Sequence, residues 1–166
     1  MGPSEVNSKQ ATMSLSPRTL DYELARVLLV DDDPASRLIL QTVLKAGGYN
    51  VDAAASGAEA VAKMDAGTYE LVLSDLQMES PQAGLKVLAH AKMMDYKPAT
   101  AILTTYQNSK PSPAERSKSM LIKPEDLPGL LGKVADLIGE RASRRLNQRL
   151  RAGDRQVRMH LRMAGA

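Results

Sequence analysis

An α/β fold with an open, doubly wound parallel sheet is predicted by three features of the 166-residue sequence. Short continuous apolar runs recur, as expected for strands covered on both faces: 27–30, 71–74, 99–103 and 120–122. Segments with helical periodicity separate most of them, which implies βαβ units with right-handed crossovers. All four runs lead directly into polar residues, namely Asp31-Asp32-Asp33, Asp75, Thr104-Thr105 and Lys123. Open α/β sheets collect their ligands outside the carboxyl ends of the strands, so these acids, hydroxyl and lysine are expected to converge on one pocket.

Each element has its own local reason. After the first run, Asp33 supplies an N-cap and Pro34 a first-turn proline. The helix that follows carries Leu38, Ile39, Thr42 and Val43 as its expected apolar face, and Gly47-Gly48 ends it. Residues 49–54 make a second, weaker strand. Ser56-Gly57-Ala58-Glu59 is a capping box for a helix reaching about Asp65, closed by Gly67. The third helix is expected over 85–95, with Leu85, Leu88 and Ala89 on one side. Between Thr105 and Ser119 two prolines and a near absence of apolar residues leave room only for a shortened fourth crossover helix. Leu127, Leu130, Leu131, Val134, Leu137 and Ile138 define the last helix of the domain.

Composition narrows the function classes. There is no Cys, Trp or Phe, so disulfides and thiolate metal sites are excluded and the core must be aliphatic. No run approaches the roughly 18 apolar residues of a membrane span, and no signal-peptide pattern opens the chain, which predicts a cytoplasmic protein. The net charge of +3 hides an asymmetry: residues 139–166 hold eight Arg against Glu140 and Asp154, a net +6 that leaves −3 for the rest. Three parts follow from this: a flexible leader at 1–24, a domain at 25–140, and a basic amphipathic helical tail at 141–166. At about 100° per residue, Ala142, Leu146, Leu150, Val157 and Leu161 share one face of that tail and the arginines lie mainly opposite. Gly153 sits on the apolar face as a candidate interruption.

Several carboxylates in one pocket repel each other and need a cation or a shared proton at neutral pH. Hard oxygen donors without His or Cys favour Mg²⁺ over zinc or copper. A metal held by two acids could lie against a third carboxylate acting as nucleophile, which makes an acyl phosphate plausible. A lysine ammonium and a hydroxyl suit the charge on a transferring phosphoryl group.

These residues, in this order, resemble the receiver domain of bacterial two-component response regulators, the family of the chemotaxis regulator. The resemblance covers about residues 25–140. It implies a flavodoxin-like sheet of five parallel strands in the order 2-1-3-4-5. It also implies that Asp75 is the phosphoacceptor and that Asp31, Asp32 and Asp75, with the backbone carbonyl of Gln77, hold Mg²⁺. Thr104 would bond the phosphoryl oxygen and Lys123 would pair with the phosphoryl group. The phosphodonor would be a sensor histidine kinase or phosphotransfer protein. Four departures stand out: Met78-Glu79-Ser80-Pro81 is altered and longer than the family's loop before Gly84, Thr105 is larger than the residue preferred there, Met120 replaces the switch aromatic, and the fourth crossover is eroded. Chemistry looks intact, whereas the usual readout does not.

The expected function is therefore a stand-alone response-regulator receiver that signals through protein contacts, with no enzymatic activity beyond its own phosphorylation and dephosphorylation. The competing reading is a receiver-like interaction module that no longer relies on phosphorylation. A phosphatase is disfavoured because Gln77 stands where a second acid would be wanted. For the tail, the alternatives are packing on its own domain or a homodimer mate, a downstream protein groove, or an anionic membrane surface. Nucleic acid is disfavoured because no stacking platform or binding fold accompanies the arginines.

Overall fold

In a computed structural model of the chain, the described residues are 24–76, 78–80, 82–103, 120–122 and 126–165, with 120–122 described by backbone alone. Strands β1 (Arg26–Val30), β2 (Asn50–Ala54), β3 (Leu71–Asp75) and β4 (Ala99–Leu103) form a parallel sheet. They are ordered β2-β1-β3-β4, and a three-residue strand β5 (Met120–Ile122) pairs with β4. Helices α1 (Pro34–Ala46), α2 (Gly57–Ala66), α3 (Ala83–Met93) and a C-terminal helix (Leu127–Ala164) complete the described elements.

Period-two alternation along β1 divides the core into two layers. Val27 and Leu29 pack with Leu40 and Leu44 of α1 and with Leu130 and Val134 of the C-terminal helix. Leu28 and Val30 face the other way, against Ala60 and Met64 of α2 and Val87, Leu88 and Ala91 of α3. A continuous apolar run was the expected signature of a strand covered on both sides, and Val27 to Val30 are all 0% exposed.

The helix starts follow the sequence closely. Asp33 caps α1 by accepting from the Ser36 N–H at 2.7 Å, and Ser56 caps α2 by accepting from the Glu59 N–H at 3.2 Å. Glu59 reaches back one residue further than an ordinary capping box, to the Ala55 N–H at 2.9 Å. Gly48 takes a φ of 93°, the left-handed turn that lets the chain leave α1 for β2.

Helix faces were read less well. The structure turns Leu40 and Leu44 of α1 inward and leaves Leu38 65% and Ile39 55% exposed, so that of the expected face only Val43 packs on the core. On α3 the buried residues are Ala83, Gly84, Val87, Leu88 and Ala91, whereas Leu85 and Ala89 are exposed. The helix also begins two residues earlier than expected. Gly84 explains both shifts: a Cβ there would collide with the carbonyl oxygen of Asp75, so this small residue seats the first turn of α3 directly on the end of β3. The C-terminal helix runs through Gly153 without a break. A single glycine costs only about 1 kcal/mol relative to alanine in a helix, less than the strong helix formers around it can absorb.

Candidate functional site

The site is built where β1 and β3 lie side by side. Val30 is in register with Ser74, so the residues that follow them, Asp31 and Asp75, leave the sheet next to each other. Asp32 is one residue further on, before α1 begins. Asp31, Asp32 and Asp75 each offer a carboxylate oxygen within 4.8 Å of the others. Asp31 is 0% and Asp75 4% exposed, while Asp32 opens to solvent.

Local bonds hold Asp31 rigidly. Its backbone N–H donates to the Ala54 carbonyl at 3.1 Å, extending the β1–β2 ladder by one residue. Its Oδ1 accepts from the Asp33 N–H at 2.9 Å, and its carbonyl accepts from Arg37 Nη1 at 2.8 Å. The other oxygen, Oδ2, is buried and has no hydrogen-bond partner among the described residues. A buried acceptor left in that condition is costly, and a hard cation shared with Asp32 and Asp75 would satisfy it. The donor set, all carboxylate oxygen with no His or Cys, fits Mg²⁺. Around Asp75, Ser74 Oγ donates to the Asp75 carbonyl at 3.1 Å and the Leu76 N–H donates to the Leu103 carbonyl at 3.1 Å, so the turn out of β3 is tied to β4.

The structure thus brings together the three acids named from the sequence. Gln77, Thr104 and Lys123 lie outside the described residues. Three contributors were missed. Arg37 sits one turn into α1, where a surface arginine looks ordinary in a sequence. Gly84 was read only as a loop marker, although glycine is the residue that lets two stretches of backbone come close. Glu79, part of the departing Met78-Glu79-Ser80 stretch, accepts from the Gly57 N–H at 2.9 Å and so ties the loop after Asp75 to the first turn of α2.

This arrangement of acids on parallel strand ends has close counterparts. Residues 27–134 match the response regulator receiver domain family. The chain belongs to that family. The receiver is 30% identical over 126 residues to the transcriptional regulatory protein GlrR of Escherichia coli, covering 74% of this chain and 28% of that protein. It is 28% identical over 153 residues to the transcriptional regulatory protein TrcR of Mycobacterium tuberculosis, covering 88% of this chain and 59% of TrcR. The chain therefore spans less than a third of GlrR, and the activity of that whole regulator does not transfer. Among solved structures, the response regulator TrrA of Thermotoga maritima, in complex with Mg²⁺ and BeF, superimposes with a TM-score of 0.60 at 30% identity, covering 69% of this chain and 99% of TrrA. A CheY-like receiver domain protein from Methanospirillum hungatei gives a TM-score of 0.63 at 25% identity, covering 73% of this chain and 98% of the other. No described helix of the receiver is long and apolar enough to cross a membrane.

Proposed function

We propose that this receiver accepts a phosphoryl group on Asp75 from the phosphohistidine of a sensor histidine kinase or phosphotransfer protein, and signals the change through protein contacts. The observation that carries this reading is the buried Oδ2 of Asp31, without a partner among the described residues, beside Asp32 and Asp75. It is supported by membership of the receiver family and by the Mg²⁺–BeF complex of TrrA. We infer the fuller fold as well: a doubly wound sheet of five strands in the order 2-1-3-4-5, while the fourth crossover read from the sequence lies outside the described residues.

In this cycle a carboxylate oxygen of Asp75 attacks phosphorus as the phosphorus–nitrogen bond of phosphohistidine breaks, and the imidazole leaves carrying the proton it needs. Asp31, Asp32, Asp75 and the Gln77 carbonyl would hold Mg²⁺, which when bound neutralises charge on the phosphoryl oxygens. Asp31, fixed through its backbone and Oδ1, holds its carboxylate beside Asp32 and Asp75 without reorganisation. Thr104 and Lys123 are assigned to the phosphoryl oxygens on their match to the family pattern. Hydrolysis by water returns the Asp75 carboxylate, so the chain turns over no substrate beyond its own phosphate. We place the cycle in the cytoplasm, where a kinase's phosphohistidine is found.

Incubation with Mg²⁺ and acetyl phosphate or phosphoramidate, followed by intact-mass measurement, tests the reading. An alkali-labile adduct of one phosphoryl group that requires Mg²⁺ is expected. Mg²⁺ binding without any adduct from either donor would instead favour an interaction module that works without phosphorylation.

A further inference from the structure

Helix α2 is tied at both ends by bonds from distant parts of the chain. At its first turn the Gly57 N–H donates to Glu79 Oε1 at 2.9 Å, and Glu79 follows Asp75 in the loop that leads to α3. A carboxylate suits that place, because the first N–H groups of a helix lack partners within it and carry the positive end of its dipole. At the last turn the Met64 carbonyl, one of those a helix end leaves unpaired, accepts from the Tyr96 hydroxyl at 3.1 Å.

Tyr96 is also where the C-terminal helix is held. Arg141 is 7% exposed and donates from Nη2 to the Tyr96 carbonyl at 2.7 Å and from Nε to the Lys97 carbonyl at 2.9 Å. Arg145 Nη1 donates to the Tyr96 carbonyl at 3.2 Å. Lys97 takes a φ of 43°, uncommon for a residue with a side chain, and in this turn two successive carbonyls reach one guanidinium. The Tyr96 ring packs in the core layer shared by α2 and α3. Its hydroxyl thus bonds α2 while its carbonyl bonds the C-terminal helix, and the packed ring joins the two.

We propose that Tyr96 passes a change at Asp75 to the C-terminal helix: a shift of the loop after Asp75 draws α2 through Glu79, and Tyr96 transmits that movement to Arg141 and Arg145. The proposal rests on Asp75 being the phosphoacceptor. A phosphoryl group there adds negative charge and volume beside a loop held at its start by the Leu76 bond to Leu103 and at its end by Gly84 against β3. The stretch carrying Glu79 is the part left to give. The C-terminal helix then enlarges what reaches the clamp: Leu161 lies about 24 Å beyond Arg145, so a tilt of about 10° moves it by about 4 Å.

The chain has no cysteine, so spin labels placed in pairs on Leu38→Cys with Leu161→Cys, and on Met93→Cys with Leu161→Cys, report two distances without background. All three positions are well exposed. With the labelled full chain diluted into unlabelled protein, Mg²⁺ and acetyl phosphate are expected to shift at least one distance by about 4 Å. Tyr96→Phe keeps the ring and loses only the hydroxyl. It should form the Asp75 adduct as wild type does and lose the shift. Glu79→Ala should lose the shift too, whereas Glu79→Gln, which keeps an acceptor for the Gly57 N–H, should retain it. A full shift in phosphorylated Tyr96→Phe, or none in phosphorylated wild type, would overturn the coupling. Failure of wild type to form any adduct would overturn Asp75 as the acceptor, and the coupling with it.

Discussion

The two ends of the sheet treat buried and half-buried acids in opposite ways. Toward the amino end, where Arg26 opens β1 and Tyr69 precedes β3, Asp52 at the middle of β2 accepts from Arg26 Nη2 and from the Tyr69 hydroxyl, each at 2.7 Å. The Arg26 guanidinium also lies 4.8 Å from the centre of the Tyr69 ring, and the Arg26 N–H donates to Glu70 at 2.6 Å. At the carboxyl end, Asp31 is fully buried and keeps an oxygen with no partner among the described residues. The first end closes its electrostatics within the chain and works as a brace. The second leaves a charge that a ligand must complete, which is how a site differs from a structural ion pair.

The contrast can be broken at its strongest point by Asp75→Asn. Loss of the nucleophilic oxygen should remove the phosphoryl adduct entirely in intact-mass spectra, with Mg²⁺ binding reduced but folding retained. Asp31→Asn tests the unsatisfied charge itself. Without Mg²⁺ the variant should be more stable than wild type by about 1–3 kcal/mol in denaturant titration, because a buried carboxylate with one oxygen unmatched among the described residues is replaced by a neutral group. Added Mg²⁺ should stabilise wild type and not the variant. A variant less stable than wild type in the absence of metal would mean that Asp31 Oδ2 is satisfied in some other way.

At the opposite end the effects should be smaller and independent of phosphorylation. Burial alone would raise the Asp52 carboxyl, but the Tyr69 hydroxyl and the Arg26 guanidinium outweigh it and hold the group below its ordinary value. A lowered folded-state value means the stabilisation is fully present above the unfolded pKa of about 3.9. It is lost as pH falls through the folded value. Asp52→Asn should therefore cost about 1 kcal/mol at pH 7, discounted for the partial exposure of the pair, and the difference should shrink as pH falls below the unfolded value and through the lower folded one. Adduct formation at Asp75 should be unaffected. Burial, followed by the bond to Asp52, also pushes the Tyr69 hydroxyl well above its usual range, so the stability contributed by Tyr69 should fall as pH rises above about 10, a loss that Tyr69→Phe should remove.

The mildest change sharpens the boundary between the two ends. Glu79→Ala removes the acceptor for the Gly57 N–H at the start of α2 and should cost about 0.5–1 kcal/mol, with Glu79→Gln recovering most of it. A change in Mg²⁺ affinity accompanying that loss would show that the loop after Asp75 needs its tether to α2 to present the site.

Legibility in the sequence followed the range of the interactions involved. Strand positions, the N-caps Asp33 and Ser56, and the acids at the strand ends depend on residues a few places apart, and all could be read directly. Which face of α1 and α3 turned inward could not, because Leu38-Ile39-Leu40 and Leu85 to Leu88 offer apolar residues on adjoining faces. Contact between Gly84 and the end of β3 decided it for α3. The continuity of the last helix past Gly153 was likewise a balance of small terms that a lone glycine does not tip.

What the sequence determined by itself was an alternation of strand and helix with carboxylates at the strand ends, since periodicity and capping are local. Only the tertiary structure decided that Asp31 would be sealed from water with one oxygen unmatched among the described residues while Asp52 found two donors. Neighbouring strands in the sheet come from distant parts of the chain, and partners for a buried charge are set by that adjacency.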